Sequence, residues 1–187
     1  MELDFNLVLE DDQILMRPVK EEDISTLLDM ASSPDLWKYF TYDLSQPKEF
    51  NDWLNPAFRK QRLQLVIINK SEEQMIGSTA FGNYSPRDKR IEIGWTWLGQ
   101  DFHGKGFNQS MKKLMLSHAF EVMELERVEF KTDVLNLAAR KALVNIHAIE
   151  EGVLRNHTLM TKDRRRDTIF YSILKNEWNF VKRENNW

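Results

Sequence analysis

Chemistry is most plainly available where the stretch Glu92-Ile-Gly-Trp-Thr-Trp-Leu98 runs into Gln100-Asp-Phe-His-Gly-Lys-Gly-Phe-Asn108. The first reads as a strand, the second as a loop in which Gly104 and Gly106 bracket Lys105, and an amphipathic segment from Asn108 to Met123 follows at once. Backbone N–H groups of such a loop converge with the positive end of the helix on one spot, which suits an anion with two phosphates. Neither G-x-x-x-x-G-K-[ST] nor G-x-G-x-x-G is complete here, so the mononucleotide and dinucleotide signatures are not met. The four histidines, His103, His118, His147 and His157, show no i, i+4 or H-E-x-x-H spacing, and no metal site is expected. His103 adjoins the loop and is the histidine expected to touch what the loop holds. The run Arg164-Arg-Arg166 reads either as a soluble turn or as a guide for an acidic substrate.

The elements that must position these residues follow from periodicity. Ile14 to Val19 reads as a strand, and a helix opens at Glu22-Asp23 with Ile24, Leu27, Leu28 and Met30 at helical spacing. Leu36 to Phe40 and Pro47 to Arg62 read as further helical pieces. Trp37, Tyr39, Phe40, Tyr42, Phe50, Trp53 and Phe58 cluster there, either lining a substrate groove or covering one face of a sheet. Leu65 to Asn69, Met75 to Tyr84 and Arg90 to Leu98 form an antiparallel meander, so the loop leaves the end of a central strand. In the helix after it, Met111, Leu114, Met115, Ala119 and Val122 form a stripe that packs on the sheet. Arg127 to Asp133 is the next strand, and strand, helix, strand implies a right-handed crossover and a parallel pair. A helix over Asn136 to Ile149 and strands over Gly152 to Met160 and Asp167 to Leu174 complete a mixed sheet.

Composition narrows the functional classes. A chain of 187 residues supports one domain, 1–187, with a full core. A net charge of −3 gives no general attraction to nucleic acid or to an anionic membrane, and no concentrated basic face speaks for nucleic acid. The absence of cysteine removes disulfides, thiolate metal sites and cysteinyl intermediates, and fits a reducing compartment. Met-Glu-Leu-Asp-Phe at the start is not a basic segment followed by an apolar run, and no stretch approaches about 18 apolar residues. A soluble, cytoplasmic protein is expected.

The strand, the Gly-Lys-Gly loop, the amphipathic helix, the strand ending at Asp133 and the helix opening at Asn136 together resemble the GNAT superfamily of acetyl-CoA-dependent N-acetyltransferases. The likeness covers nearly the whole chain. Leu15-Met-Arg-Pro18 and Glu92-Ile-Gly-Trp95 resemble the branch of ribosomal-protein N-terminal acetyltransferases. Glu151-Gly-Val-Leu-Arg-Asn-His157, Arg166-Asp-Thr168, Tyr171-Ser-Ile-Leu174 and Glu177-Trp178 are similar to a bacterial subgroup of it. The resemblance implies an α/β acyl-CoA N-acyltransferase fold, a mixed, mostly antiparallel sheet that splays near Leu98 with helices on both faces. In that family the phosphate loop reads [QR]-x-x-G-x-[GA]; Gly104 and Gly106 match its small positions, while Asp101 stands where Gln or Arg is expected. The N–H groups of His103, Gly104, Lys105, Gly106, Phe107 and Asn108 are then expected to hold the pyrophosphate of acetyl-CoA. The pantetheine arm is expected along Thr96, Trp97 and Leu98, with Trp95 and Trp97 facing one side of the sheet and Thr96 the other.

The implied reaction is direct acetyl transfer to a primary amine, of a protein N-terminus or of a small molecule, without a covalent intermediate. It requires an unprotonated amine, an oxyanion donor, here a backbone N–H near Leu98, and a proton for the leaving thiolate. Glu92 holds the position that the resemblance assigns to the base; the alternative is a strand carboxylate in a structural hydrogen bond. Asn136 matches the helix-start asparagine, which either caps the helix or reaches the CoA arm. The usual Ser or Tyr acid is replaced by Ala139 and Leu143, leaving His147, His157, Tyr171 or water. Lys112, Lys113, Arg140 and Lys141 either pair with cofactor phosphates or lie on solvated helix faces. The missing acids keep a second reading open, a catalytically silent acyl-CoA-binding module. A homodimer is also implied, with Trp178, Phe180 and Trp187 offering apolar surface near the tail.

Overall fold

The computed structural model describes residues 2–187. Short strands β1 (Leu9–Glu10) and β2 (Ile14–Pro18) pair as a hairpin and lead into α1 (Ile24–Met30). Pro47, whose fixed φ suits a first helical turn, opens α2 (Pro47–Phe58). The meander is β3 (Leu63–Asn69), β4 (Gln74–Ser85) and β5 (Arg90–Leu98). Then come α3 (Phe107–Ser117), β6 (Arg127–Asp133), α4 (Leu137–Asn145), β7 (Ile149–Leu159), β8 (Arg165–Leu174) and α5 (Trp178–Asn185). One eight-stranded sheet runs in the order β1-β2-β3-β4-β5-β6-β8-β7, and every pair is antiparallel except β5 with β6. The expected mixed, mostly antiparallel sheet is therefore present.

Two apolar layers cover this sheet. On one face Ile91, Ile93, Val128, Phe130, Ile169 and Ile173 pack against Met111 and Met115 of α3, Leu143 of α4, and Trp178 and Val181 of α5. On the other face Val66 and Trp97 meet Leu27 of α1, Trp37, and Phe50, Trp53 and Leu54 of α2. Trp37, Phe50 and Trp53 are buried, with Phe40 and Tyr42 packed against them, so the aromatic cluster is mainly core. Trp178 is buried and Trp187 packs on the larger core, their rings 5.9 Å apart. The expected apolar tail surface thus shrinks to Phe180, because the tail folds as an amphipathic helix onto the sheet.

Other boundaries also depart from expectation. The Met111 stripe does not extend to Val122, which is 56% exposed. A π-turn over His118–Val122, in which the Met123 N–H donates to the His118 carbonyl, rotates the helix surface and buries Phe120 and Met123 instead. Helix α4 ends at Asn145 rather than Ile149, and His147, at a φ of 61°, turns the chain into β7. Arg165 and Arg166 lie in β8 rather than in a turn. No helix among the described residues is long and apolar enough to cross a membrane.

Candidate active site

The site begins where β5 and β6 part. They pair only through Arg90, Ile91 and Glu92 of β5, opposite Arg127, Val128 and Glu129. From Ile93 to Leu98 the β6-facing edge of β5 is unpaired, so the splay starts five residues before the expected Leu98. Strand β5 also carries a bulge: Ser78 lies opposite Trp97 and Ala80 opposite Gly94, leaving an extra residue where Trp95 sits at a φ of 51°. The bulge leaves Trp95 and Trp97 both on the aromatic face, while Thr96 turns to the other side, its hydroxyl 2.8 Å from that of Thr79. Trp97 is buried against Trp37 and Trp53. Its backbone alone is therefore left to meet a cofactor arm.

The loop beyond β5 has the form of an anion cradle. Gly104 and Gly106 adopt φ values of 74° and 88°, a region that costs a side-chain-bearing residue about 1–2 kcal/mol. A Cβ at either position would meet nothing within 4 Å, so the glycines serve conformation and leave room in front of the backbone. Gly106 begins α3, its carbonyl accepting from the N–H groups of Gln109 and Ser110. Among the described residues, the N–H groups of Gly104, Lys105, Gly106, Phe107 and Asn108 make no backbone hydrogen bond. His103 differs from expectation: its N–H is spent on the Gln100 carbonyl, and its Nε2 lies 3.0 Å from the Leu98 carbonyl. The histidine braces the loop against the strand end, so five N–H groups rather than six are free for an anion. Lys105 lies with its ammonium 5.6 Å from the Phe102 ring.

Helix-borne cations play other parts. Lys112 is buried, its ammonium 5.0 Å from the Phe130 ring, and burial pushes it down to about 7. It is neither a solvated-face lysine nor a phosphate ligand, since α3 turns it inward. Arg140 donates to the Tyr171 hydroxyl and the Val134 carbonyl and lies 3.6 Å from Glu150. That engagement also occupies the Tyr171 phenol, which donates to Glu150 at 3.2 Å. His147 packs edge-on to Phe180, and His157 bonds Thr168 while meeting Phe170. Asn136 caps α4 by accepting from the Ala139 N–H at 3.1 Å. Its side-chain NH₂ has no protein partner among the described residues, so capping leaves it free to donate.

Opposite the loop, on the aromatic face, lies a charged cluster. Glu92 is buried, and its Oε2 accepts from Asn83 at 2.6 Å and pairs with Lys131 at 2.8 Å. No protein hydrogen bond ends on Oε1 among the described residues. Asp133 is fully buried and pairs with Arg164, while its Oδ1 accepts from the Leu135 N–H. Arg62 lies with its guanidinium 4.7 Å from the Trp95 ring and 5.7 Å from that of Trp53, and donates to the Trp53 carbonyl. Burial lowers Arg62 to about 10, so it stays charged at neutral pH. Gly82 makes room for this stack: a Cβ there would meet the Trp95 ring at 2.5 Å. A cavity of about 330 Å³ opens beside the cluster, lined by Pro34, Trp37, Lys38, Asp43, Thr161 and Arg164.

Sequence reasoning missed Arg62, Asn83 and Lys131. The signal available for Lys131 was its alternation with Glu129 and Asp133 on one face of β6. Among the described residues, no group of three or more His, Cys, Asp or Glu could hold a metal ion.

Comparison with known proteins agrees with this geometry. Residues 13–148 match the family model described as "Acetyltransferase (GNAT) domain". The "Uncharacterized N-acetyltransferase p20" of Bacillus licheniformis is 28% identical over 172 residues, 89% of this chain and 96% of that protein. The "Putative ribosomal N-acetyltransferase YdaF" of Bacillus subtilis (strain 168) is 28% identical over 145 residues, 76% of this chain and 78% of its own. A GCN5-related N-acetyltransferase from Brucella melitensis superposes with a TM-score of 0.88 at 22% identity, over 97% of this chain and 84% of its own. Mycobacterium smegmatis RimJ, solved in complex with CoA-disulfide, does so with a TM-score of 0.76 at 19% identity, over 92% and 89%. The family model spans well over half of the residues, and this chain belongs to the GNAT acetyltransferase family.

Proposed function

We propose that this enzyme transfers the acetyl group of acetyl-CoA directly to a primary amine, of a protein N-terminus or of a small molecule. The observation that carries the reading is the run of five unpaired N–H groups, Gly104 to Asn108, at the start of an 11-residue helix beside the open edge of β5. Oriented backbone donors at a helix N-terminus suit a pyrophosphate, and the unpaired edge suits an amide-bearing arm. The glycine positions are open in front, which fits a bulky anion. The N-acetyltransferase names of p20 and YdaF, and the CoA-disulfide in the RimJ structure, support the same cosubstrate.

In this reading the amine nitrogen forms a bond to the acetyl carbon as the carbon–sulfur bond breaks. A backbone N–H at the bulged end of β5 steadies the oxyanion. Glu92 takes the amine proton through Oε1, directly or by way of a water, while Lys131 and Asn83 fix the carboxylate through Oε2. Tyr171 is occupied by Arg140 and Glu150, and positions 139 and 143 are aliphatic. Water therefore supplies the proton to the thiolate, a good leaving group for which an acid adds only about 10²- to 10⁴-fold. The test is release of free CoA thiol from acetyl-CoA in the presence of a panel of amines and peptides. Amine-dependent release with a matching acetylated product supports the reading; acetyl-CoA binding without amine-dependent release contradicts it.

A further inference from the structure

Charge on the Glu92 face of the sheet does not balance. Each carboxylate there has its own cation: Glu92 has Lys131 and Asp133 has Arg164. Two more guanidiniums remain, Arg62 and Arg166, which are 5% and 9% exposed. Among the described residues neither forms an ion pair. Arg62 spends Nη2 on the Trp53 carbonyl, its buried Nε has no partner, and Nη1 is unspent. Arg166 donates through Nε to the Thr168 hydroxyl at 3.0 Å, and both its terminal nitrogens are unspent. Both lie on the Glu92 face: Arg62 passes over Gly82, the cross-strand partner of Glu92, and Arg166 bonds Thr168, the cross-strand partner of Asp133, two residues along β6 from the Lys131 that pairs with Glu92.

A buried guanidinium without a counterion destabilises the fold, and an apolar residue of similar size would serve packing better. An arrangement that breaks this rule twice on one face of the sheet points to a ligand that completes it. Guanidinium forks suit planar carboxylates, which accept two parallel hydrogen bonds. Surplus positive charge also favours the neutral form of a bound amine, the form that attacks a thioester.

We infer that the acceptor carries a carboxylate close to the amine that is acetylated, and that Arg62 and Arg166 bind this carboxylate while Glu92 faces the amine. This rests on the acetyltransferase reading above. The carboxylate comes either from a free amino acid or from an acidic first residue of a peptide, and matched acceptors separate the two sources. Glycine is compared with ethanolamine, and a peptide beginning with Asp with the same peptide beginning with Asn.

The expected result is a preference of about 10- to 100-fold in kcat/KM for the charged member of at least one pair, the size of a charge-assisted hydrogen bond. That ratio falls toward one in Arg62→Gln and Arg166→Gln and is partly restored in Arg166→Lys. Thermal unfolding with and without acetyl-CoA verifies that each variant is folded and loaded. Equal turnover of both members in both pairs overturns the inference and leaves the acetyltransferase reading standing, as does a preference that survives in both Gln variants. If no amine turns over, the acetyltransferase reading falls, and binding decides the inference separately. Tryptophan fluorescence, with Trp95 beside Arg62 as reporter, is titrated with N-acetylglycine and the N-acetyl-Asp peptide and with their neutral counterparts. Tighter binding of the charged products, lost in the Gln variants, sustains the inference; indifference to charge overturns it.

Discussion

The loop after β5 and the face beside Glu92 are built from different materials. The loop offers backbone N–H groups on a glycine framework, with Lys105 turned toward Phe102 and His103 bracing the strand end. The Glu92 face offers side chains: Glu92 from β5, Lys131 and Asp133 from β6, Arg166 from β8, and Arg62 from the entry to β3. Backbone donors recognise what all donors of one kind share, whereas side chains gathered from several strands can be exchanged singly without altering the frame. The first region is therefore suited to a fixed cosubstrate and the second to a particular acceptor.

That contrast is sharpened by changing a side chain on the acceptor face. Glu92→Gln keeps the Oε2 hydrogen bond from Asn83 but removes the charge paired with Lys131. Turnover is expected to fall by about 10²- to 10⁴-fold, the usual contribution of general base catalysis, with the acetyl-CoA dissociation constant unchanged. Steady-state kinetics and calorimetric titration read the two halves separately. Activity that stays at the wild-type level across pH removes Glu92 from the base role and leaves it a structural carboxylate.

Behind the cosubstrate loop, Lys112 is a stability matter. Lys112→Met places an apolar chain of similar length against Phe130 and should stabilise the fold by about 1–4 kcal/mol at neutral pH. The folded lysine titrates near 7 and the unfolded one near its ordinary value of about 10.4. Between those values the unfolded chain holds a proton that the folded chain lacks, so stability rises with pH across this window, and the penalty is full below it. Denaturant unfolding from pH 6 to 10 should show this rise in the wild type relative to Lys112→Met. Parallel curves for the two proteins would contradict a buried, near-neutral lysine.

Smaller still is the effect of Gly82→Ala. Its Cβ would press on the Trp95 ring and move the surface on which Arg62 rests. Overpacking of this kind costs about 1–3 kcal/mol. Urea unfolding should show that loss, and KM for the acceptor should rise while KM for acetyl-CoA holds.

Legibility in the sequence follows the same division. Gly104 and Gly106 announced the cradle because positive φ values and close backbone approach demand glycine within a short span. The parallel β5–β6 pair followed from the helix between them. The π-turn at His118–Val122 was not legible, since one added residue per turn leaves no mark in apolar spacing until the packing partners are known. Arg62 and Asn83 were not legible either, because a side chain's partner across the sheet depends on register and on the bulge at Trp95. The Arg164-Arg-Arg166 run divides into three environments: an ion pair with Asp133, an exposed contact with Asn156, and a buried position beside Thr168. Strand alternation there separates neighbours that composition alone reads as one basic turn.

The claim on which the rest depends is that the Gly104 to Asn108 backbone holds acetyl-CoA. Thermal unfolding with saturating acetyl-CoA tests it directly when wild type is compared with the Gly104→Asp, Gly106→Asp double variant. A ligand at about 100 times its dissociation constant adds about 2.7 kcal/mol, which shifts Tm by about 5–11 °C in a domain of this size. The account predicts that shift in the wild type and its loss in a double variant that still unfolds cooperatively. No shift in the wild type, or an equal shift in both proteins, would contradict it.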